Sequence, residues 1–142
     1  MATCSMDNLL DKVYKKANSW DPLKIAEIFD YDILYTPIGP DTLGTRITNN
    51  RCTTIILDDN LNEIESILVP LHEIKHCLTD KGVGTPFLRR HSSGVAITKR
   101  EFEANSFAMH AMIRDHDYDL RNMTKYQICD YFGLDYYWSH FI

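Results

Sequence analysis

Two histidines and a glutamate, arranged as H-E-x-x-H over residues 72–76, are the side chains in this sequence best suited to metal chemistry. On a helix, a spacing of four residues puts His72 and His76 one turn apart on the same face, so both imidazoles can reach one metal ion. Glu73 flanks them, where a carboxylate can act as a general base toward water. Chance supplies this pattern in roughly one chain of this length in a hundred, so a third ligand is needed.

Two carboxylates on the next predicted helix compete to be that third ligand, Glu101 and Glu103. Two imidazoles and one carboxylate leave zinc a fourth position for water, which is the open coordination that a hydrolase requires. The two glutamates point about 200° apart on an ideal helix, so only one of them can face the metal. Glu101 shares its face with Asn105, and Glu103 shares its face with Phe107. This difference favours Glu101 only modestly.

The motif and the segment EFEANSFA, residues 101–108, together resemble the ImmA/IrrE family of metallo-endopeptidases. In that family, a helix with an E-x-E-A-N/D-x-F-A signature follows the HExxH helix. The resemblance covers residues 58–113 and implies a zincin-like fold of the glutamate-zincin type, with Zn²⁺ bound by His72, His76 and Glu101. It also implies that Asn105 orients one ligating histidine and that Glu73 is the catalytic base.

The resemblance implies a cytoplasmic zinc endopeptidase of a phage or mobile element, and from it we expect the protein to cleave a partner transcriptional repressor. The sequence shows no helix-turn-helix segment, so we expect a helix-turn-helix repressor to be a separate protein. The alternative hypothesis is a zinc-binding antirepressor that binds the repressor without cleaving it. Glu73 favours the enzyme, because a purely structural zinc site has no need of it.

The chain departs from the family pattern at two positions of the motif helix. Lys75 replaces the usual glycine before the second histidine, and we expect it to face solvent. Pro70 interrupts the helix, and we expect a kink or a late helix start near it. Cys77 lies about 100° around the helix from His76, which predicts a buried free thiol rather than a ligand.

Length and composition predict one domain over residues 1–142, with 44% hydrophobic and 25% charged residues. The net charge of −5 argues against direct nucleic-acid binding, because phosphate contacts need a basic face. Four scattered cysteines without a C-x-x-C pair, and a start without a signal-peptide pattern, predict a cytoplasmic protein with reduced thiols. The sequence has no apolar run long enough for a membrane span, and it leaves the oligomeric state open.

Hydrophobic periodicity predicts an α+β fold, in which a small, mostly antiparallel three-stranded sheet packs on the motif helix and on the helix of Glu101. The strands are predicted over residues 31–35, 45–48 and 52–57, with a turn at Asn49 and Asn50 between the last two. Helices are predicted over residues 7–16, 22–29, 62–79, 99–114, 124–131 and 135–141. The first four begin at the caps Asp7, Asp21, Asn62 and Thr98. A loop follows Gly82 and runs to residue 97.

Peptide hydrolysis would need two further features, an edge for the substrate and a donor for the oxyanion. We expect the strand over residues 53–57 to offer an edge to which an extended substrate adds. Donor candidates are Arg89, Arg90, His91, His110 and the C-terminal tyrosines, and each also fits an ordinary surface or core position. The sequence does not choose among them.

Overall fold

A computed structural model describes residues 2–49, 51–80, 86–88 and 97–142, and all elements named below lie within these ranges. The chain begins with helices α1 (Ala2–Ala17) and α2 (Pro22–Ile28), followed by strands β1 (Tyr31–Thr36), β2 (Thr42–Asn49) and β3 (Cys52–Asp58). It continues with α3 (Glu65–Thr79), β4 (Phe87–Leu88), α4 (Lys99–Asp115), α5 (Asp117–Leu120), α6 (Lys125–Phe132) and a 3-10 helix (Tyr136–Phe141). The predicted α+β class is confirmed.

The sheet is mixed, and its strands follow the order β1-β3-β2-β4 within the described residues. β2 pairs antiparallel with β3 and β4, whereas β1 pairs parallel with β3. The three predicted strands are present, but a sheet of only three strands is wrong, because β4 lies inside the predicted loop. Two residues are too short to show a hydrophobic period. The expectation that residues 53–57 form an edge strand is also wrong, because β3 lies between β1 and β2 in the sheet.

Helix α3 lies at the centre of the packing and contacts α2, α4, β2 and β3. Its residues from Leu68 to His76 are all buried. Lys75 is only 4% exposed, so the prediction that it faces solvent is wrong. Its Nζ donates a hydrogen bond to Oγ1 of Thr79 at 2.7 Å and lies 3.8 Å from Oε2 of Glu103. Packing of the helix against these elements buries the side chain at this position.

Two of the four predicted helix caps, Asp21 and Thr98, are confirmed. The side chains of Asp21 and Thr98 accept backbone amides in the first turns of α2 and α4. Asn62 is not the N-cap of α3, because that position is Ile64. Asn62 lies in the turn before the helix, where its Oδ1 accepts the amide of Glu65 and its own amide donates to the carboxylate of Glu65. Asp7 is not a cap, because α1 already begins at Ala2. Since side-chain oxygens satisfy free amides at helix starts, Thr98 fixes where the helix of Glu101 begins.

The remaining helix predictions are confirmed only in part. Helix α3 begins before Pro70 and continues through it, so a late helix start is wrong. Helix α6 matches the predicted segment, but the last predicted α-helix is a 3-10 helix, and α5 was not predicted. Gly82 lies outside the described residues. No helix in the described part of the chain is long and apolar enough to cross a membrane.

Candidate metal centre

His72 and His76 of α3 and Glu101 of α4 converge on one point inside the molecule. One ligand atom from each lies within 4.8 Å of the others. The Nε2 atoms of the two histidines are 3.2 Å apart, and the carboxylate oxygens of Glu101 lie 3.1 Å from Nε2 of His72 and 2.9 Å from Nε2 of His76. Both histidines are buried, and Glu101 is half-buried. This donor set could hold one metal ion, and we name it the HHE cluster.

Local helix geometry explains the convergence. The spacing of four residues puts both imidazoles on one face of α3. Glu101 lies in the first turn of α4, where its amide donates to the Oγ1 of Thr98 at 3.2 Å. Glu103 is not part of the HHE cluster, and its carboxylate lies 3.8 Å from Nζ of Lys75. The structure therefore places Glu101, rather than Glu103, beside the two histidines.

The second ring nitrogen of each histidine is also engaged. Nδ1 of His72 donates to Oδ1 of Asn105 at 2.7 Å, at the position that the family resemblance implies. Nδ1 of His76 donates to Oδ2 of Asp80 at 2.5 Å. With a proton on Nδ1, the Nε2 lone pair of each ring faces the cluster and is available to a cation. Asp80 was missed by the sequence analysis, although its position four residues after His76 was a usable signal.

Glu73 is fully buried, and its two carboxylate oxygens have different surroundings. Oε1 lies 3.2 Å from Nη1 of Arg46, a buried residue of β2. Oε2 has no hydrogen-bond partner among the described residues and lies 3.9 Å from Nε2 of His72. Arg46 was also missed, because nothing near it in the sequence indicates that β2 brings it to α3. A buried, partly unpaired carboxylate thus lies directly beside the HHE cluster.

Burial and hydrogen bonding shift the titration of these groups in different directions. Burial raises the pKa of Glu73, and the charges around it counter only part of that rise. Burial acts in the same direction on Glu101, but hydrogen bonds to His72 and His76 outweigh it and lower the pKa of Glu101. Burial opposes the charged form of His76, yet hydrogen bonds to Glu101 and Asp80 outweigh it and raise its pKa. A metal ion must therefore compete with a proton at His76.

Aromatic side chains cover one side of the cluster. The ring of Phe87 in β4 stacks on His72, with ring centroids 4.0 Å apart and an interplanar angle of 24°. Trp138 of the 3-10 helix meets Phe87 edge-on at 6.3 Å. The short strand and the C-terminal helix thus shield His72 from water, which strengthens electrostatic interactions at the cluster. Neither residue was predicted from the sequence to lie at the site.

Other candidate residues lie apart from the cluster or cannot be described. Cys77 is a half-buried free thiol, and burial together with the nearby carboxylate of Glu73 raises its pKa to about 12. His110 interacts electrostatically with Asp7 and Arg114, and it is not among the donors of the HHE cluster. The three oxyanion candidates of the predicted loop lie outside the described residues: Arg89, Arg90 and His91.

Comparison with known proteins found similarity to a phage protein. An uncharacterized immunity region protein 2 of Bacillus phage phi105 is 23% identical to this chain over 121 residues. The similar region covers 85% of this chain and 76% of the phage protein. No protein-family model and no solved structure matches the chain.

Proposed function

We propose that this protein is a zinc-dependent endopeptidase that cleaves a partner protein, with a helix-turn-helix transcriptional repressor of a phage or mobile element as its target. The observation that carries the proposal is the position of Glu73 beside the HHE cluster, with Oε2 buried and unpaired among the described residues. Structural zinc sites are closed by four protein ligands, whereas catalytic sites keep three ligands and an open position. The three donors, with an adjacent carboxylate whose Oε2 is unpaired among the described residues, resemble the catalytic type.

The donor atoms favour zinc over harder cations. Two imidazole nitrogens suit zinc, whereas magnesium and calcium prefer oxygen ligands. The hydrogen bonds from Nδ1 of His72 to Asn105 and from Nδ1 of His76 to Asp80 hold both rings with Nε2 toward the cluster. When bound, a zinc ion supplies Lewis acidity, which lowers the pKa of water and polarises a carbonyl group.

The chain's own residues supply the proton transfers of peptide hydrolysis. Oε2 of Glu73 accepts a proton from the attacking water, and Glu73 then delivers a proton to the amine nitrogen as the C–N bond breaks. Asn105 and Asp80 keep the histidine rings oriented throughout. Phe87 and Trp138 exclude bulk water on the side of His72.

A regulatory target is supported by the similarity to the immunity region protein of phage phi105 and by the resemblance to the ImmA/IrrE family. The net charge of −5 disfavours direct binding of this chain to DNA. We therefore propose action on the repressor protein rather than on its operator. A repressor target also implies that the reaction takes place in the cytoplasm.

The proposal is tested by incubating the zinc-loaded protein with the repressor encoded nearest to its gene and analysing the products by mass spectrometry. We expect two new fragments from wild type, none after chelation, and at least a 100-fold slower reaction in Glu73→Gln at unchanged zinc content. Equal cleavage by Glu73→Gln overturns the role of Glu73. An intact repressor that binds the protein and leaves its operator supports the antirepressor alternative instead.

The ligand set is tested by metal content, measured by mass spectrometry on protein purified with excess zinc. We expect about one zinc per chain in wild type and in Glu103→Gln, and a strong loss in Glu101→Gln. The two variants form a matched pair, because the same substitution is made on the same helix turn. Loss of zinc from Glu103→Gln alone would reverse the assignment.

A further inference from the structure

The ion pair of Arg46 with Glu73 connects the sheet to the motif helix inside the core. Arg46 is 9% exposed and Glu73 is fully buried, and Nη1 of Arg46 lies 3.2 Å from Oε1 of Glu73. The other carboxylate oxygen, Oε2, is free of hydrogen bonds among the described residues and lies on the side of His72. The guanidinium therefore engages one oxygen of Glu73 and leaves the other toward the HHE cluster.

The close approach of β2 to α3 allows Arg46 to reach Glu73. Gly44 precedes Arg46 by two residues, so both lie on the same face of the strand. A Cβ atom at Gly44 would lie 2.8 Å from Cγ1 of Val69 in α3, a distance at which one of the two must move. Glycine thus lets the strand lie directly against the helix, one turn before Glu73.

Stability alone is a weak explanation for this pair. Burying two charges is costly, and well-packed apolar side chains of similar volume are often as stable or more stable. The pair does give Glu73 a defined orientation, because Nη1 of Arg46 binds Oε1 on one side and leaves Oε2 on the side of His72. A general base must be held within a narrow range of positions to take a proton efficiently.

We propose that Arg46 is a positioning residue for the hydrolysis: by binding Oε1 of Glu73, it fixes the carboxylate with Oε2 facing the HHE cluster. This inference rests on the proposed function. Arg46 acts through Glu73, so its effect on the rate requires the glutamate. Replacing Arg46 therefore lowers kcat and leaves KM and zinc binding largely unchanged.

The kinetic test uses zinc-loaded Arg46→Met and Arg46→Lys, with Arg121→Met as the control, since Arg121 forms an exposed ion pair with Asp117. A peptide library from a digested bacterial proteome is first used to find the peptide that wild type cleaves fastest. The values of kcat and KM are then measured on that peptide for every variant. We expect kcat to fall about 10- to 100-fold in Arg46→Met with KM changed less than about threefold, and to recover in part in Arg46→Lys. A folded, zinc-loaded Arg46→Met with wild-type kcat overturns the proposal.

A double variant separates positioning from a general structural role. In the Glu73→Gln background, Arg46→Met should change the residual rate less than about twofold, because the carboxylate on which Arg46 acts is already absent. An equal fold-loss in both backgrounds overturns the proposal. The double variant also removes the buried unpaired charge that could prevent Arg46→Met alone from folding.

An infrared measurement on zinc-free protein does not depend on activity. The carboxylate band of Glu73 is isolated by subtraction of spectra. The spectrum of Glu73→Gln is subtracted from that of wild type, and the spectrum of the Arg46→Met/Glu73→Gln double variant is subtracted from that of Arg46→Met. We expect this band to shift and broaden in Arg46→Met relative to wild type, and an unchanged band overturns the proposal. If wild type cleaves no peptide while the band still broadens, the proposed hydrolysis is wrong and fixation of Glu73 by Arg46 is supported.

Discussion

At the scale of single residues, the two histidines of the HHE cluster are held by different partners. His72 donates from Nδ1 to a neutral amide, Asn105, whereas His76 donates to a carboxylate, Asp80. A carboxylate partner makes an imidazole a stronger base, while an amide mainly fixes the orientation of the ring. Asn105 therefore contributes geometry to metal binding, and Asp80 contributes both geometry and charge.

Replacing Asn105 tests whether ring orientation matters for metal binding. In Asn105→Ala, we expect zinc affinity to fall about 10- to 100-fold, because His72 can rotate and its Nδ1 loses a buried partner. The affinity is measured by competition with a fluorescent chelator. Asn122→Ala, at an exposed position, serves as the control and should bind zinc as wild type does. Equal affinities in the two variants would show that Asn105 does not orient the ligand.

Lys75 offers a comparison between a buried and an exposed lysine that face the same carboxylate. Nζ of Lys75 lies 3.8 Å and Nζ of Lys99 lies 3.9 Å from the carboxylate of Glu103, with side-chain exposures of 5% and 89%. We expect Lys75→Glu to lower the free energy of unfolding by about 3 kcal/mol or more, because it buries an unpaired negative charge. Lys99→Glu should cost less than about 1 kcal/mol. Urea denaturation of both variants measures the difference, and equal losses would contradict the burial of Lys75.

Thiol reactivity follows from the raised pKa of Cys77. The thiolate is the reactive form, so a pKa of about 12 leaves about one part in ten thousand reactive at pH 8. Cys52 is exposed, and we expect iodoacetamide to label it at least 100-fold faster. Labelling of Cys77 should increase as the pH rises toward its pKa. Peptide mass spectrometry resolves the two sites, and equal labelling at pH 8 would contradict the raised pKa.

At the scale of elements, local signals were sufficient where the structure depends on neighbours in sequence. Helix periodicity, with the cap Thr98 of α4, predicted the two helices of the site, and the spacing in α3 predicted the two histidines. Contacts between distant segments were not predictable in this way. The parallel pairing of β1 with β3, the two residues of β4 and the reach of Arg46 to Glu73 all depend on tertiary packing.

The packing of β2 on α3 depends on the absence of a side chain at Gly44. We expect Gly44→Ala to cost about 1–3 kcal/mol of unfolding free energy, because the added Cβ overlaps Cγ1 of Val69. Val69→Ala removes that atom, so the double variant Gly44→Ala/Val69→Ala should be more stable than the sum of the two single losses predicts. Chemical denaturation of the four proteins measures this coupling. If the two single losses of unfolding free energy simply add, the contact between residue 44 and Val69 does not determine how closely β2 packs on α3.

At the scale of the whole molecule, the HHE cluster connects elements that are distant in sequence. Two ligands come from α3 and the third comes from α4, while β4 and the 3-10 helix cover the cluster through Phe87 and Trp138. A cation at this point would bind the folded arrangement and not the separated helices of the unfolded chain. Metal binding should therefore stabilise the whole domain and not only the site.

Zinc is accordingly expected to raise the melting temperature of the protein. With free zinc about 1,000-fold above Kd, the folded state gains about 4 kcal/mol, which corresponds to roughly 10 °C for a domain of this size. Differential scanning calorimetry with and without a chelator measures the shift. The His72→Ala/His76→Ala variant should melt at the same temperature in both conditions, because it lacks two of the three donors. An equal zinc-dependent shift in wild type and in this variant would place the stabilising ion elsewhere, and the absence of a shift in wild type would argue against a metal centre that couples α3 to α4.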